Sequence, residues 1–85
     1  MILNFIVNGE DTRIEVDPRD LLSVARDEAL RVSHSSGRPP VDWQVRDTRG
    51  VLLSPDRAIN TWDLRDNDRL FLTLGAGIGG TGIAP

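Results

Sequence analysis

The residues of this sequence that could do chemistry crowd into its last eleven positions. Gly75-Ala76-Gly77-Ile78-Gly79-Gly80 matches the Gly-x-Gly-x-x-Gly dinucleotide fingerprint and follows a predicted strand. That fingerprint works only when a helix N-terminus behind it faces a pyrophosphate and a further strand carries an acid about twenty residues on. Thr81-Gly82-Ile83-Ala84-Pro85 is too short to supply either, so dinucleotide binding is set aside. What remains is an adjacent glycine pair, Gly79-Gly80, followed by Thr81. Five of these eleven residues are glycine, too many to hold one conformation by their own contacts, and a mobile tail is expected.

Other chemistries are limited by composition. The 85 residues contain no cysteine, so there is no thiolate nucleophile, disulfide framework or zinc ribbon, and the single His34 cannot form a histidine metal site. All ten basic residues, Arg13 to Arg69, are arginine, which leaves no lysine for Schiff-base, phosphate-loop or side-chain isopeptide chemistry. The net charge of −3 is spread in mixed runs such as Arg26-Asp27-Glu28, which argues against nucleic acid or an anionic membrane as partner. Trp43 and Trp62 are expected as core or loop anchors, Asp66 and Asp68 as turn residues, and His34 as a helix-end residue. No Ser-His-Asp arrangement can be defended without a pocket. No cofactor and no metal are expected. The longest apolar run, Ile2 to Val7, is interrupted by Asn4 and lacks the length of a signal or membrane segment, so the expected compartment is the cytoplasm.

The elements that would carry the tail follow from periodicity. Ile2 to Asn8 reads as a strand with Leu3, Phe5 and Val7 on one face. Asn8-Gly9 is a hairpin turn, and Thr12 to Asp17 reads as a second strand. Asp17-Pro18, with Asp20 behind it, signals a helix start. Leu22, Ala25, Ala29 and Val32 form the expected buried stripe, with Leu21 beside them and Arg26, Asp27 and Arg31 in water. Ser33-His34-Ser35-Ser36-Gly37 ends the helix and Pro39-Pro40 prevents its resumption. Strands are expected at Trp43–Asp47, Val51–Leu53 and Arg69–Leu74, the last with Leu70, Leu72 and Leu74 inward. Ile59, Trp62 and Leu64 seal the loop between the last two. The class is α+β: a mixed sheet of four to five strands with one helix across it. Residues 1–74 form the domain and 75–85 the Gly-rich tail, with the diglycine at 79–80 and an extension at 81–85.

This order, with its local residues, resembles ubiquitin and the β-grasp modifiers related to it. Val16-Asp17-Pro18-Arg19-Asp20 is similar to the family's Val-Glu-Pro-Ser-Asp before the helix, and Gly37-Arg38-Pro39-Pro40 to its Gly-Ile-Pro-Pro after it. Asp56-Arg57-Ala58-Ile59-Asn60-Thr61-Trp62-Asp63-Leu64 is similar, position by position, to Gly-Arg-Thr-Leu-Ser-Asp-Tyr-Asn-Ile. The resemblance runs from Ile2 to Gly80.

It implies a ubiquitin-like β-grasp fold, a non-enzymatic protein and a function residing in the tail. Members of the family expose a C-terminal diglycine, whose carboxylate an activating enzyme adenylates with ATP and passes to an enzyme nucleophile. Glycines without a Cβ suit the narrow channel of such a partner. The resemblance assigns this role to Gly79 and Gly80, and because Thr81 follows, it implies a precursor cleaved after Gly80. The implied partners are an activating enzyme, a conjugating-type enzyme, a processing peptidase that is metal-dependent or a cysteine enzyme, and target proteins. The alternatives are a sulfur carrier ending in a thiocarboxylate and a docking or assembly domain without conjugation. The tail departs from the family in having Gly75-Ala76-Gly77-Ile78 where ubiquitin has two arginines, so a dedicated activating enzyme is expected. The family's hydrophobic recognition patch falls on Arg46, Phe71 and Thr73. Phe71 and Ile6 are expected to point away from the core and to meet if the first and last strands pair in parallel, forming a surface for a partner or for self-association.

Overall fold

The computed structural model describes residues 1–35 and 37–74. The tail, including Gly79, Gly80 and Thr81, lies outside the described residues, as does the boundary expected at 74/75.

Five strands form one mixed sheet: β1 (Ile2–Val7), β2 (Glu10–Glu15), β3 (Trp43–Arg46), β4 (Leu52–Leu53) and β5 (Asp68–Leu74), in the spatial order β2-β1-β5-β3-β4. A single helix, α1 (Leu22–Val32), packs across one face. This is the expected α+β architecture, and it is compatible with a β-grasp. The β1–β2 hairpin turns through Asn8 and Gly9, at φ 53° and 82°, the two successive left-handed residues that a tight hairpin requires. The chain then crosses the sheet through α1, so β5 can enter the centre parallel to β1 while β3 joins its other side antiparallel. Leu3, Phe5 and Val7 of β1, Leu70 and Leu72 of β5, and Val45 of β3 all point towards the helix and are at most 3% exposed. Each such side chain contributes about 1.5–3 kcal/mol on burial.

The helix starts later than its sequence signals suggest. Asp17 is a turn residue: its carboxylate accepts from the Arg19 backbone N–H at 2.9 Å and from the Arg19 guanidinium. The first helical residue is Leu22, and the N-cap, Leu21, makes no side-chain cap. Its function is taken over by the distant 54–62 loop, whose Arg57 and Pro55 carbonyls accept from the Leu22 and Ser23 N–H groups at 2.9 Å each. Ile59 N–H returns a bond to the Asp20 carbonyl, and Leu21 bridges Ala58.

The buried face of α1 also differs from expectation. Leu22, Ala25, Arg26, Ala29 and Leu30 are buried, whereas Leu21 and Val32 are 45% and 42% exposed. Arg26 sits between Leu22 and Leu30 at spacings of four, so the helix carries it inward with them. The helix closes in a Schellman turn in which His34 takes the left-handed conformation (φ 59°). There Ser35 N–H reaches Leu30 O and His34 N–H reaches Arg31 O. Leu74, expected inward, is 43% exposed, although its cross-strand partner Trp43 is buried.

Candidate functional site

The sheet face turned away from α1 brings together the surface residues that the sequence singled out. Parallel pairing sets Ile6 directly beside Phe71, and antiparallel pairing sets Arg46 on the other side of Phe71. The row continues to Asp11 on β2 and Leu52 on β4. Ile6, Phe71 and Arg46 are half-buried, each shielded by its neighbours in the row, while Leu52 is 50% exposed. Thr73 is exposed two positions beyond Phe71 on the same face, where it pairs with Gln44.

Arg46 is held flat along this face. Its guanidinium donates to the Gly50 carbonyl at 2.9 Å and to Gln44 Oε1 at 3.3 Å, so its cation is held between β3 and the turn that follows it. Gly50, at φ 83°, turns the chain from β3 to β4. The same turn is organised by Asp47, whose Oδ1 accepts from the Arg49 and Val51 N–H groups at 2.9 Å each and whose Oδ2 pairs with the Arg49 guanidinium at 3.0 Å. The Val51 N–H, followed by the Arg49 contacts, holds this carboxyl below its ordinary value against an opposing effect of burial. The result is a surface with a small apolar centre, Ile6 and Phe71, bordered by a fixed cation and by polar side chains. Such a patch can bind a protein surface.

The other residues weighed from sequence have structural places. Asp66 Oδ1 accepts from the Ile2 N–H at 2.6 Å and Asp68 Oδ2 from the Arg65 N–H at 2.8 Å, the work of turn residues. Trp43 belongs to the core and Trp62 packs against it, both with a buried Nε1 that lacks a hydrogen-bond partner among the described residues. Leu52 and the buried Arg26 were not singled out from sequence. The Leu22-Arg26-Leu30 spacing was the available signal for Arg26, overridden by assigning a charged residue to water. Gly79, Gly80 and Thr81 cannot be placed relative to the patch, since they lie outside the described residues. Among the described residues no helix is long and apolar enough to cross a membrane.

Comparison with known proteins gives a family and a relative. The chain is 35% identical over 75 residues to the uncharacterized protein y4jI of Sinorhizobium fredii, a match covering 88% of this chain and 58% of that protein. The chain therefore corresponds to little more than half the length of that relative. The family model described as "Protein of Unknown function (DUF2604)" matches residues 1–80, from the first strand through the glycine pair. With nearly its whole length matched, the chain belongs to the DUF2604 family.

Proposed function

We propose that the protein is the precursor of a ubiquitin-like modifier whose reactive group is the Gly80 carboxylate, freed by cleavage of the Gly80–Thr81 bond. The observation that carries this reading is the position of β5. The central strand, held between β1 and β3, is described as far as Leu74, and the sequence places the adjacent Gly79-Gly80 pair five and six residues later. A central strand paired on both sides is a firm anchor from which a short tail can be offered to an enzyme. An activating enzyme then adenylates Gly80, and the acyl group passes through enzyme nucleophiles to a target. The face around Phe71, with Ile6, Arg46 and Thr73, serves as the recognition surface for those partners.

The composition gives this modifier a direction. With no lysine it cannot carry side-chain isopeptide chains of itself, and with no cysteine it has no thiol to compete for the activated Gly80. It acts as a donor. The experiment is mass spectrometry of the protein expressed in its native host with its genomic neighbours. A bond from Gly80 to another protein is expected, and a Gly80→Ala variant loses it. A terminal thiocarboxylate would instead assign a sulfur carrier, and a tail left whole with the neighbours present would assign a docking domain.

A further inference from the structure

At the β3–β4 edge of the sheet, α1 leaves a cleft of about 530 Å³, a volume typical of specific ligand sites. Arg26, Val41, Trp43, Leu52, Pro55 and Asp56 contribute to its walls. Its walls do not include Ile6 or Phe71, although Leu52 and Gln44 border both the cleft and the outer face.

Two side chains at this cleft keep donor groups with no acceptor among the described residues. Trp43 Nε1 is buried without a partner among the described residues. The Arg26 side chain is 10% exposed and uses only its Nε, which donates to Asp27 at 2.9 Å. Its two terminal amino groups make no hydrogen bond or ion pair among the described residues. Those groups can only donate, and their paired geometry matches the two oxygens of a carboxylate. The neighbouring walls are apolar and wet: Val41 is 76% exposed and Leu52 50%. The Arg26 side chain is 10% exposed and its terminal amino groups are open to the cleft, so an occupant that combines a carboxylate with aliphatic groups complements both this cation and the exposed aliphatic walls. Val41 precedes β3 and Leu52 lies in β4, separate segments that a peptide can meet with a separate side chain for each. Asp56, also in the wall, repels a second negative charge and restricts the occupant to one acid at this point.

We propose that the cleft binds an extended peptide segment of a partner protein, one acidic side chain held by Arg26 and neighbouring aliphatic side chains resting on Val41 and Leu52. The test titrates the intact protein with acetyl-Ala-Leu-Glu-Leu-Ala-amide and follows the two tryptophan indole N–H signals in proton–nitrogen correlation spectra. The Trp43 signal moves and the Trp62 signal does not. The same peptide with Gln in place of Glu binds about tenfold more weakly, the loss expected of a charge-assisted fork. Arg26→Met removes the preference for Glu. Val41→Asp, on an exposed side chain that no core contact depends on, weakens the acidic peptide while leaving the spectrum of the core unchanged. Equal binding of the Glu and Gln peptides, or no movement of Trp43 with either, overturns the proposal. Binding of 4-methylpentanoate as tight as that of the peptide overturns the partner and leaves a small-acid site.

Discussion

Replacing Arg26 with methionine is expected to stabilise the fold. Burying the Arg26 side chain to 10% exposure removes most of the water around its charged group, at a cost of about 2–4 kcal/mol. Its return is one hydrogen bond from Nε to Asp27, a carboxylate whose own side chain is 52% exposed and therefore largely screened by water. A charged hydrogen bond contributes about 1.5–3 kcal/mol and a surface ion pair about 0–1 kcal/mol. These do not outweigh the desolvation. Methionine keeps an unbranched stem of similar length between Leu22 and Leu30 and removes the cation, and Asp27 is left half in solvent, so no unpaired charge is buried. The expected net gain is about 1 kcal/mol, which for a domain of this size raises the thermal midpoint by about 4–8 °C. Thermal and urea unfolding of the wild type, Arg26→Met, Asp27→Asn and the double variant measure both the gain and the coupling. A midpoint lowered by about 4 °C or more, together with a coupling energy above about 1.5 kcal/mol, would refute the reasoning. Arg26 would then be a structural ion-pair residue, not a cation held in reserve.

Phe71→Arg leaves the core untouched but removes the cross-strand contacts with Ile6 and Arg46 and sets a like charge opposite Arg46, so it costs about 0.5–2 kcal/mol in chemical denaturation. It should also weaken binding of the activating enzyme or any self-association measured by sedimentation; unchanged partner affinity and oligomeric state would dismiss the patch. For Asp47, whose folded carboxyl is held below the ordinary value of 3.8, the stabilisation is complete above that value and is lost as pH falls through the lowered folded one. Asp47→Asn is therefore less stable than the wild type at neutral pH, and urea titrations should show the gap narrowing at acid pH. Gly50→Ala meets no atom within 4 Å of its new Cβ but must hold φ at 83°, so its cost is conformational, about 1 kcal/mol in urea unfolding.

Much of the framework was legible in local pattern. Alternation in Leu3-Phe5-Val7 and Leu70-Leu72 assigns a core face to each strand, and Asn8-Gly9 has a geometry that few other dipeptides accept. Ile6 and Phe71 could be assigned outward from the same alternation, and their contact needed only one further assumption, parallel pairing of β1 with β5. The β5 pattern proved less complete: Leu74 has the right parity for the core, yet it is 43% exposed.

The sequence by itself determined the element order, the α+β class and the turn chemistry, because these depend on residue period and on backbone preferences that act over a few neighbours. It also determined the lysine-free, cysteine-free composition that limits what the proposed modifier can accept. The helix start and the Arg26 cleft were decided by tertiary structure. Asp17-Pro18 is a sound local start signal, but the Arg57 and Pro55 carbonyls, more than thirty residues away, satisfy the first N–H groups at Leu22 and Ser23 and so move the boundary. Arg26 carries a charge that sequence logic sends to water, whereas packing of Leu22 and Leu30 against the sheet draws the residue between them inside. In both cases a contact across the fold outweighed a local preference, since a shared helix face and a buried backbone hydrogen bond leave the intervening residues no independent choice.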